Sequence, residues 1–133
     1  MNHKFNQSIK KLLVLIIAVI LFHICIIVKI IPYDITWGGR LQNENEMYVF
    51  ESVSILLNLL LVAILLMKGD LIKYKFSSRV LNAILWVFFA IFLLNTFGNL
   101  FSKTYFEKSC SILTGISAFL LWKIVNQQNV TNN

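Results

Sequence analysis

Four apolar runs of roughly membrane-spanning length dominate this chain and leave few folds open to it. They are Leu12–Ile31, Met47–Met67, Leu81–Phe101 and Ser109–Ile124. A hydrocarbon core about 30 Å thick takes about 20 helical residues, with roughly 17 as the lower limit. The first three runs meet that length; the fourth is shorter and has a polar first turn. None alternates with the period of two that a barrel strand requires. Hydrophobic residues make up 58% of the 133, more than a soluble domain of this size can cover with polar surface. A single proline and five glycines leave the runs almost unbroken. The chain therefore reads as an all-α integral membrane protein, a bundle of four transmembrane helices. Residues 1–126 form one membrane domain, and 127–133 read as a polar, disordered tail.

The first run resembles a secretory signal in having a basic flank of Lys4, Lys10 and Lys11. Its apolar stretch is too long for one, however, and no small-residue cleavage site follows it. It is kept as the first helix. The net charge of +6 does not point to nucleic acid, because the bases flank the apolar runs instead of clustering on one polar face. Their placement orients the chain. Lys4, Lys10, Lys11, Lys68, Lys73, Lys75, Arg79 and Lys123 fall on one side. Lys29, Arg40, Lys103 and Lys108 fall on the other, accompanied by Asp34, Glu44, Glu46 and Glu107. The positive-inside rule then puts both termini in the cytoplasm of a multi-pass cell-membrane protein.

The passage from Pro32 to Glu51 is the long polar interruption, and it ends on a carboxylate already inside the second run. At 1.5 Å per residue, the other intramembrane polar groups gather at the same level. His23 and Cys25 lie there on helix 1, Asn95 and Asn99 on helix 3, and Cys110, Ser111 and Thr114 on helix 4. On helix 2, Glu51, Ser54 and Asn58 share one stripe. Polar groups are costly in lipid, so these stripes are expected to face the bundle interior. They would line an outward-opening pocket of Glu51, Asn58, Asn95, Asn99, His23 and Thr114, with the turn of Trp37 and Arg40 above it. Glu51 is expected to be tied to Arg40 and to the two helix-3 asparagines. His23 reads as a hydrogen-bonded interior residue before it reads as a ligand. Ser111, Gly115 and Ala118 read as a close-packed helix contact.

Several chemistries find no support. Cys25 and Cys110 form no C-x-x-C and would pair only if helices 1 and 4 brought them together. No histidine spacing suits a metal, and no glycine-rich loop or nucleophile elbow is present, so no metal and no cofactor are expected. The layout of four short helices with a carboxylate early in the second resembles DoxX-like and EXPERA-type small membrane proteins. That resemblance covers helix count and the place of one acid, and carries no activity with it.

Three functions are compatible with these residues. The first is a module that binds or translocates a lipid-like or amphiphilic ligand. The second is a membrane enzyme acting on an amphiphile, with Glu51 as general acid or base. The third is an accessory or immunity-type subunit that meets a protein partner through residues 32–47. Beyond membrane lipid, a homo-oligomer is a further partner consistent with so thin a bundle.

Overall fold

The computed structural model describes the backbone of residues 3–36, 40–73 and 76–131, and side chains within 7–36, 40–73 and 76–126. It is all-helical. The long helices are α1 (His3–Ile27), α2 (Glu44–Lys68), α3 (Ser78–Leu100) and α4 (Tyr105–Thr131), with a short 3-10 turn at Tyr33–Ile35. All four long helices are long and apolar enough to cross a membrane. α4 extends to Thr131 and so includes the polar residues 127–131. Helical hydrogen bonds are local and need no apolar cover beyond a membrane boundary.

Side-chain chemistry sets the helix limits. Asn43 caps α2 by accepting from the Glu46 N–H at 2.9 Å, and Ser77 caps α3. Thr104 caps α4, its Oγ1 accepting from the Glu107 N–H at 3.2 Å and donating to the Glu107 carboxylate at 2.8 Å. These are the first-turn donors that a helix leaves unsatisfied. α1 and α2 close in the same way, with a left-handed residue after the last turn, Lys29 (φ 67) and Asp70 (φ 57). The Ile30 N–H returns to the Cys25 carbonyl and the Leu71 N–H to Leu66, the six-to-one bond of a Schellman cap. Gly69 precedes Asp70 for a different reason. A Cβ there would stand 3.3 Å from the Leu65 carbonyl oxygen, a tight contact with the last turn of α2, and in ordinary contact with Ile9 of α1 at 3.5 Å.

The helices run up and down in sequence, each packed against the next and α4 back against α1. Of these four pairs, contact is most extensive between α3 and α4 and least between α2 and α3. The main core lies at the end that carries both termini. It joins Ile9, Leu12 and Ile16 of α1 to Leu61, Ile64 and Leu65 of α2, with Leu85 and Phe88 of α3 and Leu121 and Ile124 of α4. A smaller cluster of Ile26, Leu41 and Met47 ties α1, α2 and their connection together at the far end.

The tight α3–α4 seam uses small residues. Ser111 and Ala118 are buried, and a Cβ on Gly115 would touch the Thr96 methyl at 3.6 Å. Alanine therefore fits at 115 and leucine does not. Gly115→Leu is expected to lower stability by about 1–2 kcal/mol, within the usual range for overpacking. Unfolding by graded detergent checks this, and Gly115→Ala should stay near the parent protein. Unchanged stability in Gly115→Leu would mean that this face meets lipid.

Candidate functional site

On α2, Glu51, Ser54, Asn58, Leu61, Leu65 and Lys68 follow one another at spacings of three and four, a single inward stripe. Glu51, Leu61, Leu65 and Lys68 are buried, whereas Ser54 and Asn58 are half-covered. On α3, the corresponding stripe is buried at Leu81, Leu85, Phe88 and Phe92. It continues as Asn95, Thr96 and Asn99, where the cover is lost: Asn95 is exposed and the other two half-buried. Of the helix pairs adjacent in sequence, α2 and α3 make the least contact, and both carry incompletely covered polar residues in their far halves. At the terminal end they meet through Lys68, which donates to the Asn82 side-chain oxygen.

Glu51 is fully buried, as its stripe predicts. Its described partner differs from the expected ones. His23 of α1 places Nδ1 against a Glu51 carboxylate oxygen, with 15% of the His23 side chain exposed. The imidazole is further positioned by Phe22, edge-on to it at 5.5 Å, and Phe22 in turn stacks on Phe106 of α4 at 5.6 Å. The acid is therefore anchored towards α1 and α4 and not towards α3.

The remaining expectations separate. Arg40 is exposed, and among the described residues it pairs with none of Glu44, Glu46 and Glu51. Its acids are taken up locally. Glu44 pairs with Lys29 at 2.6 Å, and Glu46 accepts from the Gln42 N–H at 2.9 Å. That Glu44 carboxylate holds the exposed Lys29 ammonium above its ordinary pKa by hydrogen bonding and by charge. Asn95 and Asn99 do not reach Glu51, and among the described residues neither side chain makes a hydrogen bond. The tie from Glu51 to Arg40 and the helix-3 amides is thus replaced by the bond to His23. Trp37, with Gly38 and Gly39, lies outside the described residues.

Asn58 donates to the Ser54 carbonyl of its own helix at 2.7 Å, and among the described residues its amide oxygen accepts no hydrogen bond. Thr114 bonds across the α3–α4 seam to Thr96 at 2.9 Å. Thr96 was missing from the sequence reading, although its place one turn after Phe92 on the buried stripe gives it away. Thr104 was missing too, and the Thr-x-x-Glu pattern before an apolar run is its signal. The Thr104 hydroxyl also reaches the Ile35 carbonyl at 3.5 Å, which docks the short 3-10 turn on the start of α4.

Cys25 and Cys110 are both free thiols. Among the described residues, no group of three histidine, cysteine or acidic side chains converges on a point that could hold a metal. A cleft of about 230 Å³ lies to one side, between Ile26, Lys29, Ile31, Pro32, Tyr33 and Asp34, and includes none of the expected site residues. Comparison of the chain with known protein families, with curated proteins and with solved structures finds no match.

Proposed function

We propose that this chain is a multi-pass protein of the cell membrane that binds or translocates a lipid-like amphiphile. The head of the ligand is held at the far end by the His23–Glu51 pair and nearby amides. Its tail enters sideways between α2 and α3. The observation that carries this reading is the burial of Glu51 against His23, in the same half of the bundle as incompletely covered polar residues of α2 and α3. Ionisable groups inside a membrane are expensive and mark functional sites by default. Uncovered amides in the same half give an amphiphile something to bond.

In this proposal both termini face the cytoplasm and the site opens outward. Cysteines placed at Asn43 or Asn45 should then react with an impermeant thiol reagent added outside cells, and cysteines at Ser77 or Ser78 should not. The reverse pattern overturns the orientation.

Native mass spectrometry of the purified protein tests binding. The parent chain should carry an amphiphile from its own membrane, and folded Glu51→Gln should carry at least tenfold less. Equal retention removes Glu51 from the site. An imidazole oriented by a carboxylate is also the arrangement of a general base, so turnover of the amphiphile is the second reading. Glu51→Gln that still binds its amphiphile but no longer converts it would favour that reading.

A further inference from the structure

The two ends of the bundle differ in charge. Of the six acidic residues, Asp34, Glu44, Glu46, Glu51 and Glu107 lie towards the far end, and only Asp70 lies at the end that carries the termini. Among the described residues, that terminal end holds Lys10 and Lys11 of α1, Lys68 closing α2, Lys73 in the α2–α3 connection, Arg79 in the first turn of α3 and Lys123 of α4. Lys68 is buried and donates to Asn82, and Lys123 is half-buried. Lys10, Lys11, Lys73 and Arg79 are exposed, and none of them forms an ion pair among the described residues. The packing gathers them. Ile9, next to Lys10, sits beside Gly69 at the end of α2, and Lys68 reaches across to α3 within a turn of Arg79.

Bases at one end are what orients membrane helices, so charge alone says little more. The α2–α3 connection adds a second observation. Leu71, Ile72 and Phe76 belong to no helix, yet all three are exposed. Their exposure therefore cannot be put down to a spanning helix that meets lipid. Large apolar side chains left in water are costly. At a membrane boundary the same side chains enter the acyl layer, while long basic side chains carry their charge out to the head groups. We propose that the terminal end is a docking surface for anionic phospholipid. Lys10, Lys11, Lys73 and Arg79 take the phosphate heads, and Leu71 and Ile72 lie against the acyl chains. Clusters of four or more bases beside spanning helices attract anionic heads, each base contributing a factor of about five in affinity. A zwitterionic head brings its own ammonium and gains little from an end with a single acid. This surface lies at the opposite end of the bundle from Glu51 and does not depend on the reading given above.

The test uses the whole protein exchanged into an uncharged oligo-oxyethylene detergent. It is titrated separately with dioleoylphosphatidylglycerol and dioleoylphosphatidylcholine, and lipid adducts are read by native mass spectrometry. Phosphatidylglycerol should give half-maximal adduct at a concentration fivefold or more below that of phosphatidylcholine. Lys10→Gln, Lys11→Gln, Lys73→Gln and Arg79→Gln combined should bring that ratio close to one, and the first or last two alone should remove part of it. All four side chains are exposed, so folding tolerates these changes. Leu71→Ser with Ile72→Ser should weaken phosphatidylglycerol by threefold or more. Equal binding of the two lipids by the parent protein overturns the proposal, as does a preference that survives in the four-base variant. Phosphatidylglycerol binding that ignores the apolar pair would be charge alone, the behaviour of a surface for a soluble polyanion such as RNA, and overturns it as well.

Discussion

Replacing Glu51 with leucine is expected to lower the stability of the bundle by about 3–5 kcal/mol, the usual loss when one member of a buried ion pair is removed. Glu51 is fully buried and His23 nearly so, and each is set against the other across the α1–α2 contact. Deleting the acid takes from His23 the carboxylate set against it, and His23→Leu takes the imidazole from the buried carboxylate. Both single variants should therefore be costly. The double variant should recover most of the loss, because two leucines remove both desolvation penalties together. Glu51→Gln should be mild, about 1 kcal/mol, since an amide still bonds to the ring. A double-mutant cycle read by graded-detergent unfolding decides the point. Additive losses mean that the two side chains do not interact. A coupling below about 1 kcal/mol would place the contact with ordinary interhelical hydrogen bonds in membranes, which average near 0.6.

This cycle also shows where sequence reasoning reached its limit. The stripe of Glu51, Ser54 and Asn58 follows from helical periodicity, and it places Glu51 inward as the structure does. Periodicity also gives the close contact of Ser111 and Ala118, because small residues at these spacings have one common use in lipid. Partner choice does not follow from periodicity. Asn95, Asn99 and His23 all lie at a depth that could meet Glu51, and only the order of helices around the bundle selects among them. That order puts α1 close to α2 and leaves α3 the least packed neighbour of α2. Arg40 failed for a related reason. Its nearness to three acids in sequence says nothing about Lys29, which the left-handed cap after α1 turns back towards Glu44. Thr96 and Thr104 were legible in principle, the first from its stripe and the second from its capping pattern, but neither is apolar or charged enough to draw attention.

Leu121→Ala is expected to cost about 2–3 kcal/mol, and Leu94→Ala almost nothing. Both are leucines of spanning helices, so composition and hydropathy treat them alike. Leu121 is fully buried in the core at the terminal end, whereas Leu94 is 72% exposed on the far half of α3. Burial from lipid differs from burial from water, because acyl chains are as apolar as leucine and hydration contributes little to helix association. What Leu121→Ala loses is packing: the dispersion contacts of the missing atoms and the cavity left behind, about 24 cal/mol per Å³ of residual volume. That places the loss in the lower part of the range for leucine-to-alanine changes in cores. The same comparison at Leu65 and Leu57, buried and 40% exposed on α2, should repeat the contrast. Graded-detergent unfolding of the four variants measures it. Equal losses at Leu94 and Leu121 would mean that the far half is packed as firmly as the terminal half. α2 and α3 could then not part to admit an acyl chain. The expected asymmetry leaves the terminal core as the clamp that holds four helices together, while in the proposed function the far half would be the part that admits the ligand.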